Sequence, residues 1–214
     1  MKTEDIIAQL TRSLAPVRRL PSPATLTLLW LGIAVLVIAS AVAVMGLRHD
    51  LDARMAAGLD LRQMVTAALT AVLAALAAFQ LSFPDRDRRW ALLPLPALAL
   101  WLGNLGWGCL QDFATQGIDG LRLTTSFPCL SFIVGFGLPL SLAMAWLARH
   151  AGPIRPGPVA TLGGLAAACI TSIGLTLTHH LDAAAMVLAW HGLAILVTTG
   201  AAGLLGSKVM RAAV

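Results

Sequence analysis

Long uncharged apolar stretches alternate with short polar segments along the whole chain. Six such stretches run from Thr25 to Leu47, Gln63 to Phe83, Ala91 to Gln111, Cys129 to Leu147, Val159 to Thr178 and Met186 to Ser207. Each approaches the about 20 residues an α-helix needs to cross the hydrocarbon of a bilayer. The segments between them carry charge, proline and glycine, as in PDRDRR (84–89) and HAGPIRPGP (150–158), the usual punctuation of turns. The pattern predicts an all-α fold, a polytopic membrane bundle of six transmembrane helices. It divides the chain into a tail over 1–24, a membrane domain over 25–207 and a C-terminal segment over 208–214.

Ahead of the first span the apolar period changes. In TEDIIAQLTRSLA (3–15), Ile6, Ile7, Leu10 and Leu14 recur at helical spacing and make one stripe. Thr3 can cap this short helix, Glu4 and Asp5 suit the positive end of its dipole, Arg12 sits late, and Pro16 ends it. The helix can lie in the headgroups, with Arg18 and Arg19 as inner anchors, or set its stripe into a partner's groove. Four aliphatics with one basic residue make a poor lipid binder, which favours the partner. Arg18 and Arg19 also read as plain topology determinants.

Composition points the same way. The chain is 58% hydrophobic and 12% charged, with a mean hydropathy of +0.82; a soluble domain carries about 25% charged residues. The formal net charge is +5. Its basic residues lie in short inter-span segments with no long run, so headgroup contact and topology explain them better than nucleic acid. The polar, partly acidic start MKTEDIIAQL is unlike a cleavable signal peptide.

The distribution of basic residues sets the orientation. One side holds Lys2, Arg12, Arg18, Arg19, Arg86, Arg88, Arg89, Arg149, Arg155, Lys208 and Arg211, eleven in all; the other holds the remaining four, Arg48, Arg54, Arg62 and Arg122. The richer side is expected to be cytoplasmic. That places both termini inside. Trp90 and Trp146 fall near predicted inner ends and Trp107 near an outer end, as interfacial rings prefer, whereas Trp30, Trp101 and Trp190 fit such a belt poorly.

No charged side chain falls inside a predicted span. Proton relays, ion-coupled transport and voltage sensing place ionisable groups at depth, so a transporter or channel subunit is the weaker alternative, alongside a signal-independent scaffold. Asn104 reads as a helix–helix hydrogen-bond donor, Cys169 as a small packing residue, and Gly163, Gly164, Ala167 and Ala168 as a surface for close helix packing. Six spans with His191 in the last also invite comparison with rhomboid proteases. The span-four serines, Ser131 in CLSF and Ser141 in PLSL, lack the flanking glycines of such a nucleophile, and no base or oxyanion site accompanies them. A non-enzyme without a resident cofactor is expected.

Topology gathers Cys109, Cys129, His179, His180, Asp182 and His191 at or near the outer face. Thiolate and imidazole suit zinc or cadmium, and two thiols in an oxidising compartment can pair. The alternative is that these are isolated boundary residues. Three cysteines are in any case too few and too scattered for a disulfide framework.

In the order of its features the chain resembles the NrsF-like family of six-span membrane anti-sigma factors. The resemblance is carried by TEDIIAQLTRSLAPVRRL (3–20), FPCLSFIVGFGLPL (127–140), RHAGPIRP (149–156) and LTHHLDAAAMVLAWHGLAIL (177–196). It implies a negative regulator that holds an extracytoplasmic-function sigma factor at the inner membrane through the tail. A periplasmic signal, in some members heavy-metal stress sensed through cysteines, would release it. Cys129 stands at the place of the family's first cysteine. The second usually follows a histidine after span five; here that place reads His179–His180, so His180 stands where the thiol would be, a departure from a two-thiol switch. The resemblance gives no role to Cys109.

Overall fold

A backbone surrounded by hydrocarbon must satisfy its N–H and C=O groups within its own segment, so the apolar stretches coil into helix. The computed structural model describes residues 3–12, 20–121, 127–179 and 184–211. Among them are α1 (Thr3–Arg12), α2 (Pro23–Met45), α3 (Leu51–Ala57), α4 (Leu59–Ser82), α5 (Leu95–Gln116), α6 (Phe127–Ala148), α7 (Pro156–Thr178) and α8 (Ala184–Arg211), with 3₁₀ turns at Arg88–Leu92, Gly117–Leu121 and Arg149–Ala151. No strand occurs among these residues, and six helices are long and apolar enough to cross a membrane. The protein is a multi-pass helical membrane bundle. Observed helices follow the expected spans to within a few residues, whereas α3 was not expected. It ends where Gly58 takes a left-handed conformation (φ 80°), which glycine adopts without penalty, and α4 starts directly after.

α7 forms the centre of the bundle, packing against α8, α4, α6 and α2, while α5 packs against α4 and α8. Over its most apolar window α7 is 78% buried, against 22% for α2, so α7 faces protein and α2 faces mainly lipid. Small residues make this centre. Between helices in lipid there is little hydrophobic driving force, and close van der Waals packing carries association. A Cβ on Gly164 would lie 2.7 Å from the Ala202 Cβ and 2.8 Å from the Thr199 Cα. Only a hydrogen fits between α7 and the α8 backbone there. Cys169 is fully buried in one cluster with Ala67, Ala71, Trp101 and Leu105, the packing role its surroundings suggested.

A few polar groups within the bundle reach partners on other helices. Asn104 on α5 donates from Nδ2 to the Thr66 Oγ1 on α4 at 3.3 Å. Trp30, fully buried, donates its Nε1–H to the Leu140 carbonyl at 3.0 Å and ties α2 to α6. Trp101 is buried as well, so two of the rings that fit an interfacial belt poorly are core residues. Trp146 behaves as an interfacial ring: it is half exposed, and the Arg149 guanidinium lies 5.0 Å from its centroid.

Charge is absent from the expected spans but is buried just beyond them, at the end away from the tail, where the α2–α4 connection meets the end of α7. The Arg48 side chain is 2% exposed and makes two bonds to Asp50, at 2.7 and 2.8 Å. Asp60, on the first turn of α4, is buried and paired with Arg54, with Nη2–Oδ1 at 2.8 Å.

Two substitutions test this packing. Gly164→Val should cost about 1–3 kcal/mol through overpacking and lower the melting temperature in detergent. Gly103→Val, where an added Cβ meets nothing within 4 Å, should leave it nearly unchanged. Equal effects of the two would contradict a close α7–α8 contact. Trp30→Phe should cost about 1 kcal/mol, the size of one interhelical hydrogen bond, read as a lower midpoint in denaturant unfolding.

Candidate functional site

Two ends of the molecule hold the residues singled out by sequence. At one end is α1, whose first turn holds Glu4 and Asp5 as a helix N-terminus favours. Its apolar stripe is open: Ile6 is 38% exposed, Ile7 56% and Leu10 62%. An uncovered aliphatic stripe on a ten-residue helix is a surface for a groove or an interface rather than a core. The helix ends at Arg12; Leu14, Arg18 and Arg19 lie outside the described residues. Beyond them the Ser22 Oγ accepts from the Thr25 N–H at 3.2 Å and caps α2, with Pro23 in its first turn.

At the other end lie three of the four candidate sensing residues, on different elements. Cys129 opens α6 and is buried in a cluster with Ala41, Phe132, Leu175 and Ala194 from α2, α6, α7 and α8. Cys109 is half-buried near the end of α5. His179 follows α7 and its N–H bonds to the Leu175 carbonyl at 2.9 Å. His180 and Asp182 lie outside the described residues. The cysteines are not joined in a disulfide. Among the described residues no three or more histidine, cysteine or acidic side chains are placed to hold a metal ion, so Cys109, Cys129 and His179 do not make a three-ligand site by themselves.

Sequence reasoning missed two constellations at this end. The first is a cap over the helix ends. The Arg48 N–H bonds to the Leu177 carbonyl at 3.0 Å, joining the end of α2 to the end of α7 two residues before His179. The Arg48 guanidinium beside Asp50 holds that carboxyl at about 2, so the pair stays ionised throughout the physiological range. The second is a buried polar pair: the Ser172 Oγ on α7 lies 2.8 Å from the His191 Nδ1 on α8. The serine that meets His191 is therefore on the fifth span, not the fourth. Nothing in the spacing of 172 and 191 reveals this; it follows from the rotation of α7 against α8.

No curated protein and no solved structure matches the chain. A family model described as a negative regulator of sigma F matches residues 10–211, which takes in Leu10 of the open stripe and every membrane-crossing helix. With that match over almost the whole length, and with the six-helix bundle beneath it, the chain belongs to the NrsF family of negative regulators of sigma F.

Proposed function

We propose that this protein is a membrane-bound anti-sigma factor that sequesters an extracytoplasmic-function sigma factor through its tail. The observation that carries this reading is the open stripe of Ile6, Ile7 and Leu10 on α1, on a chain whose family is described as a sigma regulator. A helix of this kind binds by seating its aliphatic side chains in an apolar groove. Leu14 continues the stripe, and Arg18 and Arg19 meet acidic groups on the partner or on lipid. Tethering keeps the sigma factor from RNA polymerase by binding alone, without covalent chemistry, cofactor or nucleic-acid contact. The eleven-to-four asymmetry of basic residues supports cytoplasmic termini in a bacterial inner membrane.

Release would start at the opposite face. Cys129, His179 and His180, with Cys109 as a further donor, offer thiol and imidazole to a soft or borderline metal ion or to an oxidant. Moving a two-state bundle from 1:99 to 99:1 needs a ligand preference of about 5.5 kcal/mol for the released state. The Arg48–Leu177 bond links the α7 end near these residues to α2, which leads back to the tail.

Ile7→Glu and Leu10→Glu in the full-length protein test the docking helix. Each should lose about 1.5–3 kcal/mol of apolar burial, a roughly 10–100-fold weakening, and a sigma-dependent reporter should rise accordingly at equal protein level. Full repression by both variants would remove the tail from the account. For sensing, Cys129→Ser and His180→Ala should each shift the cadmium or zinc dose response of the same reporter by about tenfold or more. If both dose curves overlay the parent's, metal sensing at these residues is wrong.

A further inference from the structure

His191 lies in the last membrane-crossing helix, seven positions into α8 and three past the start of its apolar stretch at Leu188. Ionisable groups inside a membrane bundle are costly and tend to mark function. Here the imidazole is buried, and Ser172 is its partner through Nδ1 at 2.8 Å. The second ring nitrogen, Nε2, has no hydrogen-bond partner among the described residues. His191 also lines a small cavity of about 10 Å³ between α4, α5, α7 and α8, together with Gln63, Trp101, Ser172 and Thr176. That is room for one water, and the amide of Gln63 and the hydroxyl of Thr176 supply polar partners such a water needs.

We infer that His191 and Ser172, with the cavity beside Gln63, form a proton-binding site reached from the face away from the tail, and that proton uptake there loosens α7 from α8. Either neutral tautomer suits the present packing, because the Ser172 hydroxyl can donate to Nδ1 or accept from it. The imidazolium donates from both nitrogens. One donor meets the Ser172 oxygen, and the other meets water in the cavity, since no ion pair joins a carboxylate to this ring among the described residues. Among the described residues, the titratable and charged groups on the elements around it are Cys169 on α7 and His179 just past its end, Asp60 and Arg62 on α4, Cys109 and Asp112 on α5, Asp119 on the 3₁₀ turn that packs on α8, and Cys129 on α6; Asp60 is already held by Arg54. His179, at the end of α7, brings a second imidazole rather than a counter-charge. An uncompensated cation in the bundle is relieved by hydration, which favours parting the α7 and α8 ends where the cavity already lies. Under the sequestration reading, this would lower sigma inhibition in an acidified periplasm. The proton site itself does not depend on that reading.

The test uses the full-length protein in lipid nanodiscs, with His150→Gln as background, because His150 stacks edge-on against Trp146 at 5.8 Å and would itself affect fluorescence. Trp101 reports from the cavity wall. Between pH 7.5 and 3.5 the tryptophan emission should change reversibly. His191→Gln, which retains a hydrogen-bonding side chain, should abolish the change, and Ser172→Ala should move its midpoint by about half a pH unit or more. A His191→Gln protein that keeps the full change overturns the site, as does a midpoint that Ser172→Ala leaves in place. A sigma-dependent reporter with wild-type protein should rise severalfold on external acidification and lose that response in His191→Gln. An intact titration with a pH-blind reporter overturns the regulatory half alone, and the tail variants then decide whether sequestration still stands.

Discussion

Close approach of α7 to its neighbours is the constraint on which the bundle rests. Lipid tails solvate an apolar helix as well as another helix does, so association in the membrane depends on fit and on satisfied polar groups. α7 meets that demand with small residues. At Gly164 the α8 backbone comes so near that no side chain fits between, and Gly163, Ala166, Ala167, Ala168 and Cys169 continue the buried surface. Shape here does the work that hydrophobic burial does in a soluble core.

The same closeness makes the few polar residues matter. Trp30 to Leu140 and Asn104 to Thr66 each join two helices through one bond, and such bonds also fix the rotation of each helix about its axis. α2 is held differently. It packs on α4 and α7 but offers much of its surface to lipid, with Trp30 near its start and the Arg48–Leu177 bond just past its end. A helix so held can shift with less loss of packing than α7 could, and it is the helix that continues into the tail. For a regulator this division between rigid centre and lightly held tail-bearing helix is a workable basis for two states.

At the end away from the tail, two buried charges, Arg48 and Asp60, are each paired with a more exposed partner. Arg48 with Asp50 and Arg54 with Asp60 close the connection between α2 and α4 over the bundle. Breaking one partner of such a pair would leave the other charge without compensation, which costs more than the pair itself contributes. His191 differs because its partner is neutral, and that difference separates a structural ion pair from a group whose protonation changes what the packing must accommodate.

Hydropathy and charge in the sequence alone determined the six crossings, the all-α class and the polar tail with its aliphatic stripe, while the kinship with negative regulators of sigma F was visible only as a resemblance in the order of its motifs. The first three depend on local composition and period, which a helix in lipid expresses directly. The packing roles of Asn104, Cys169 and Gly164 were also legible, since small and singly polar residues have few uses in a membrane helix. The tertiary structure alone decided which residues meet. It brought Ser172 rather than Ser131 or Ser141 to His191, buried Trp30 and Trp101 instead of leaving them in a belt, folded Arg48 and Asp60 under a cap, and kept Cys109, Cys129 and His179 from forming a three-ligand site. Those outcomes depend on helix rotation, tilt and loop return. Hydrophobic period leaves these open in a bilayer, where nearly every face of a spanning helix is apolar.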